Sequence, residues 1–371
     1  MPLRPVPING KHADSVRMLL FANPHDSPIP GRFNPSHFGH KGSGILLRMN
    51  GIFFCLTAMH NLKTAHEPGW QLGDPLCNRL PFWVAKCPHD EIRYFNPDHS
   101  LNVDAFLLPS LIWDISKLID LDIPYVDTKD LCLIQLYDPI LNGGSEPQGF
   151  IDLDAVSMPD ESLCANPRVL QQIIGYPDTL AGKDIGIPPA HFEYYINMER
   201  QMYFGVYDSE TEAIEHSSEA MCRLVRGMPQ FQPPTHEEIK GMSGGGVFLL
   251  DRFEFRWCGI LVSSASGRSR YIPCHLFHNA LLNYKASNPI IVDPQGAERA
   301  LVNCLEELDN ERESLCPEEY EARRQRYCKA LVKAIRTMEE AKRPAREARN
   351  ACLIEIEKEA METWKKNKTA P

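Results

Sequence analysis

The sequence contains no Cys-x-x-Cys pair, no His-Glu-x-x-His and no apolar run near the ~18 residues that a membrane span needs. Each absence removes a class of function. Without paired cysteines there is no dithiol redox centre and no ribbon-type zinc site, and the cluster at His236-Glu-Glu lacks ligand spacing. No metal and no organic cofactor is expected. The only apolar run in the polar first 41 residues, Met18 to Ala22, is shorter than a signal-peptide core, so a cytoplasmic protein without membrane attachment is expected. Excess positive charge is missing too: 39 Lys and Arg stand against 49 Asp and Glu, a net charge of −10. Phosphate backbones are held by concentrated basic faces, so no nucleic-acid partner is expected.

What is present suits a globular protein. Hydrophobic residues make up 43% and charged residues 24% of 371 positions, enough for a large core and a solvated surface. The twelve cysteines are scattered singly and are expected to act mostly as small buried apolar groups.

From Gly42 to Pro289 short apolar runs alternate with turn residues, which predicts a mainly β fold. Gly44 to Thr57 forms two β-rich runs joined across Asn50-Gly51, a strong hairpin signal. Further strands are expected at Leu131–Leu136, Val169–Ile174, Gly246–Leu250 and Trp257–Ser263. The polar or Pro-rich stretches Asn61–Pro124 and Pro177–Gln232 read as long surface insertions or as cover for further elements, with Leu108–Asp120 a candidate short helix.

After Asp293 helix formers take over, dividing the chain into residues 1–293 and a helical extension over 294–371. Helices are expected at Ala297–Leu308 and from Pro317 onward. In the second, Tyr327, Leu331, Ala334, Met338, Ala341, Ala345, Ala348, Cys352 and Ile356 follow helical steps and form one stripe that needs covering. Pro344 is expected to kink or divide this helix, and the extension as a whole is a candidate surface for a protein partner.

Chemistry concentrates at Gly241-Met-Ser-Gly-Gly-Gly-Val-Phe248. Glycines permit a tight turn that exposes the Ser243 hydroxyl, while the Gly241 and Ser243 amides can converge on one oxyanion. Gly-x-Ser-x-Gly also marks the elbow of α/β-hydrolases. That elbow follows an apolar strand and precedes its acid and His, whereas Thr235 to Lys240 is polar and precedes Ser243. An esterase is therefore the more distant alternative.

Upstream, His60 ends the apolar run Phe54-Cys-Leu-Thr-Ala-Met-His60, and Asp130 opens Asp130-Leu-Cys-Leu-Ile-Gln-Leu136. Here the resemblance becomes specific. Leu-Thr-Ala-Met-His is similar to the Leu-Thr-Ala-Ala-His of trypsin-like peptidases, Asp-Leu-Cys-Leu-Ile to their Asp-Ile-Ala-Leu-Leu, and Gly-Met-Ser-Gly-Gly to their Gly-Asp-Ser-Gly-Gly. Gly42-Ser-Gly44 and Gly175-Tyr-Pro-Asp178 resemble segments of Deg-type proteases and glutamyl endopeptidases. Gly259–Ser263 resembles the strand that pairs with substrate backbone, and Tyr271-Ile-Pro273 the strand that closes Deg-type barrels.

The resemblance covers residues 40–280 and implies a chymotrypsin-like double β-barrel, one barrel over about 40–150 and the other over 165–290. It implies a serine endopeptidase acting on a protein or peptide, with Ser243 as nucleophile, His60 as base, Asp130 as its orienting acid and the Gly241 and Ser243 amides as oxyanion hole. Asp127 competes with Asp130 for the acid's role. Ser263 is implied in substrate binding, and Glu237, six residues before Ser243, either forms a pocket base for Lys or Arg or is a surface acid. Met242 and Asn61 depart from the secreted enzymes, which carry Asp and Cys there, so control by a partner or ligand is the expectation. The competing reading is an inactive protease-like interaction scaffold.

Overall fold

A computed structural model describes residues 12–22, 38–62, 82–88, 91–93, 105–119, 126–127, 130–137, 149–177, 181–185, 194–198, 200–222, 224, 232–265 and 267–368. The chain divides into two units, Met1–Val292 and Asp293–Pro371. The described strands of the first unit are β1 (Val16–Ala22), β2 (Phe38–Met49), β3 (Ile52–Thr57), β4 (Phe82–Ala85), β5 (Glu91–Arg93), β6 (Phe106–Leu107), β7 (Pro109–Trp113), β8 (Cys132–Leu136) and β9 (Ile151–Asp152). They continue as β10 (Leu170–Gly175), β11 (Ala181–Ile185), β12 (Tyr194–Met198), β13 (Gln201–Asp208), β14 (Ala213–Glu215), β15 (Gly246–Asp251), β16 (Glu254–Ala265), β17 (Arg268–Pro273) and β18 (Pro289–Ile291). The helices are α1 (Glu161–Cys164), α2 (Ser218–Cys222), α3 (His236–Ile239), α4 (Cys274–Leu282), α5 (Pro294–Asn310) and α6 (Pro317–Lys368).

Asn50 and Gly51 both adopt positive φ, 49° and 74°, the signature of a type I′ turn, and this turn fixes the β2–β3 register from Met49↔Ile52 to Gly44↔Thr57. The sheet built on this hairpin has nine strands, in the order β18-β7-β8-β3-β2-β1-β4-β6 with β9 parallel to β2. One face packs Leu46, Phe53, Cys55, Cys132 and Ile134 into a core. The other face is covered as well, since Phe54 and Trp113 both meet the Tyr284 ring edge-on. Double coverage explains why β3 and β8 are apolar without alternation.

The second sheet is a closed six-stranded barrel, β10-β13-β14-β17-β16-β15. Ile173, Ile214, Val247, Leu249, Cys258 and Leu261 fill it, each contributing about 1.5–3 kcal/mol where an aliphatic side chain is fully buried. A small sheet, β11-β12-β5, accompanies it.

Several expectations shift. The first sheet is not confined to residues 40–150: it recruits β1 and β18 from outside that range. Met18–Ala22 lies in an interior strand hydrogen-bonded to both β2 and β4. Asn61–Pro124 supplies β4 to β7, and Leu108–Asp120 becomes β7 plus a 3-10 turn, Ile115–Leu118, because consecutive residues from Pro109 to Trp113 are all buried, as in a strand covered on both faces, rather than along one helical face. Pro177–Gln232 includes β13 and β14, two staves of the closed barrel.

In the second unit Asp293 caps α5 by accepting from the Gly296 amide at 2.7 Å, with Pro294 at the first position. The helix buries Ala297, Ala300, Leu301, Cys304 and Leu308, and α6 buries Tyr327 and Ala334. The two helices pack on each other, and the Tyr320 hydroxyl donates to Asp309 at 2.6 Å across their turn. α6 runs unbroken through Pro344, which removes one backbone bond from a ladder of 52 residues. Among the described residues no helix is long and apolar enough to cross a membrane.

Candidate active site

The pairing of β3 with β8 ends at Thr57↔Cys132, so the chain just beyond each strand end is brought together. His60 lies on the 3-10 turn Met59–Leu62 and Asp130 two residues before β8. The His60 amide donates to Asp130 Oδ1 at 2.8 Å, and Nδ1 lies 2.5 Å from Oδ2. A carboxylate can only accept, so Nδ1 carries the proton and Nε2 is left as the basic nitrogen. Asp130 is 14% exposed and His60 41%, which places the acid behind and the imidazole edge in the open. Asp127 is exposed and contributes its carbonyl to the Asp130 amide at 3.1 Å.

Ser243 is delivered by a local device. Thr235 and Glu238 form a capping box that starts α3, and the helix ends in a type II turn. Lys240 takes φ −56° and ψ 132°, Gly241 takes φ +90°, and the Met242 amide closes on Ile239 O at 3.0 Å. Glycine fits the third position of this turn because φ is positive there. The turn sends Met242 into the barrel core, fully buried, and leaves Ser243 facing outward into a cleft.

The elbow is clamped from both sheets. Gly244 donates to Leu261 O at 2.7 Å, and the Ser43 amide donates to Ser243 O at 2.9 Å. Asn61 Nδ2 donates to the same carbonyl at 2.8 Å and to Thr57 Oγ1 at 3.1 Å, while Thr57 Oγ1 donates to Ser43 O at 2.7 Å. Asn61, legible in the sequence only as a departure from cysteine, thus ties the His60 turn to the Ser243 backbone. At Gly244, φ +83°, a Cβ would stand 2.0 Å from Ser43 O, so the close approach of the two sheets requires glycine.

His60 and Ser243 line one cleft of about 340 Å³, together with Gly42, Asn61, Gly241 and Val262. The Ser243 hydroxyl donates to Val262 O at 3.2 Å rather than to His60. Among the described residues the Gly241 and Ser243 amides have no hydrogen-bond acceptor, while the intervening Met242 amide is used by the turn. Ser263 lines the cleft, joined by Ser264 and Lys240, which the sequence did not single out, and by His236, which it set aside as a metal ligand. Glu237 is exposed on α3 and does not line it, because the short helix turns its side chain away. Asp178 of the Gly-Tyr-Pro-Asp segment lies outside the described residues, but Tyr176 is buried and its amide donates to Ser43 Oγ at 2.9 Å. Among the described residues no group of three His, Cys, Asp or Glu could hold a metal ion.

No protein-family model matches the chain, and no curated protein matches its sequence.

Proposed function

We propose that this chain is a serine endopeptidase of the trypsin-like class, with the nine-stranded sheet and the closed barrel serving as the two halves of a chymotrypsin-like double barrel. The observation that carries the reading is the His60–Asp130 pair, held by two hydrogen bonds, opening onto the same cleft as a serine on a glycine elbow. Asp130 fixes the tautomer, His60 Nε2 takes the Ser243 proton as the hydroxyl attacks a peptide carbonyl, and His60 returns that proton to the leaving amine. The two free amides, Gly241 and Ser243, support an oxyanion hole already formed at rest.

Attack requires one adjustment. Ser243 must release Val262 O and turn toward His60, a rotation that breaks a single neutral hydrogen bond, worth about 1 kcal/mol. That resting bond is also what favours the second reading, an inactive scaffold in which Ser243 never engages His60. Ser243→Ala decides between them: hydrolysis of a casein or peptide-library substrate is abolished while circular dichroism stays unchanged, since only a hydroxyl is lost. Turnover surviving in the variant would contradict the mechanism.

A further inference from the structure

Behind the wall of the cleft runs a buried hydrogen-bond chain that the proposed catalytic roles do not use. His216, just after β14, is 0% exposed. Its Nδ1 lies 2.8 Å from Phe204 O and its Nε2 2.9 Å from Ser269 Oγ, which in turn lies 3.2 Å from Ser264 Oγ. Ser264 and Ser269 are register partners across β16 and β17, so their side chains share one face, and Ser264 lines the cleft beside Ser243.

The direction of each bond follows from the first. A carbonyl only accepts, so Nδ1 carries the hydrogen, and burial holds the His216 pKa below its ordinary value, leaving the ring with one proton. Nε2 is then an acceptor and takes the only hydrogen of Ser269. Ser269 can accept but no longer donate to its neighbour, so the bond between the two serines uses the hydrogen of Ser264. Ser264 is left with lone pairs alone.

Resting on the peptidase reading, we propose that this cleft holds the substrate side chain on the amino side of the scissile bond, and that the His216–Ser269–Ser264 chain selects a neutral hydrogen-bond donor, the primary amide of Gln or Asn. A Lys or Arg side chain gains little, because no Asp or Glu is found among the described residues lining the cleft. A carboxylate meets oxygen lone pairs at Ser264, and the attraction of the exposed Lys240 is screened by water. An amide donates where Ser264 accepts. Protonation of His216 at Nε2 leaves Nδ1 donating to Phe204 O and reverses the two serine bonds: Nε2 donates to Ser269, Ser269 to Ser264, and Ser264 turns its hydrogen outward to a carboxylate. Among the described residues, the charged or titratable groups facing His216 are Glu215, adjoining it in sequence, and Tyr203 of β13, whose ring centroid is 6.4 Å away.

Peptides identical except for Gln, Glu, Lys or Met at that position test the assignment by kcat/KM at about pH 7.5 and through a descending pH series below the ordinary imidazole range. The expected result is cleavage after Gln about 10-fold faster than after Glu, Lys or isosteric Met at the higher pH, with the Gln-to-Glu ratio falling only once pH passes beneath the lowered pKa of His216. Ser264→Ala is expected to bring the Gln-to-Met ratio to within about 2-fold. Both readouts are ratios within one protein, so partial loss of folded material cancels. Preference for Lys or Glu at the higher pH, or an unchanged Gln-to-Met ratio in Ser264→Ala, overturns the assignment. Labelling of Ser243 by a fluorophosphonate without Gln preference overturns the pocket alone; no labelling and no cleavage overturns the peptidase reading with it.

Discussion

The Asp130 carboxylate engages both N–H groups of His60, the backbone amide at 2.8 Å and Nδ1 at 2.5 Å. Asp130→Asn replaces an obligate acceptor with a group that presents an amide hydrogen, and so favours the wrong tautomer. kcat is expected to fall about 10⁴-fold with KM little changed. Asp127→Asn, at an exposed side chain, is expected to stay within about 2-fold of wild type. Steady-state kinetics on the two variants checks the order.

Asn61 is a positioning residue. Asn61→Ala removes the bonds to Ser243 O and Thr57 Oγ1 from a site 4% exposed. The unfolding free energy is expected to drop by about 1–2 kcal/mol, and kcat by about 10-fold at constant KM, because the elbow keeps the Ser43 bond but loses its tie to the His60 turn. A variant that loses only stability, with kcat intact, would assign Asn61 a structural role alone.

Two glycines with positive φ separate conformational strain from steric approach. At Gly51, φ +74°, nothing lies within 4 Å of an added Cβ, so Gly51→Ala is expected to cost about 1–2 kcal/mol and leave activity intact. At Gly244 the added carbon meets Ser43 O at 2.0 Å and Thr57 Oγ1 at 2.4 Å, both on rigid groups. Gly244→Ala is expected to cost more than about 3 kcal/mol and to abolish activity, read from urea midpoints and turnover together.

Much of this site was legible locally. Asn50-Gly51 determines its own turn, and His60, Asp130 and Ser243 each sit at the end or start of an apolar strand, a signal carried by a few neighbouring residues. β1 was not, since its short run lies between polar stretches and only pairing with β2 and β4 gives it strand character. β13 was hidden because Gln201 to Asp208 is half polar on its outward face, and barrel closure decides its state. Spacing from Ser243 alone nominated Glu237, but the capped turn of α3 points that residue into solvent. The His216–Ser269–Ser264 chain exists only once β14 and β17 are paired, so no motif announces it.

Burial of His216 also gives the stability a pH slope. Its folded-state pKa lies below the ordinary 6.5, so as pH falls beneath that value the unfolded chain binds a proton that the folded barrel does not. Stability is therefore complete above pH 6.5 and is lost as pH falls, by up to about 1.4 kcal/mol per pH unit, until the folded-state pKa is reached. His12, held down chiefly by burial, adds in the same direction. His216→Gln is expected to flatten the slope of urea midpoints measured between about pH 7 and about pH 5. An equal slope in the variant would exclude His216 as its source.

The most direct test of the central claim is intact-protein mass spectrometry of the full chain after exposure to a fluorophosphonate, followed by peptide mapping. The account predicts one adduct, on Ser243, absent in Ser243→Ala and strongly slowed in His60→Ala, because phosphonylation needs the same proton acceptor and oxyanion amides as peptide attack. A folded wild-type chain that takes up no probe, or takes it up at another serine, would contradict the account.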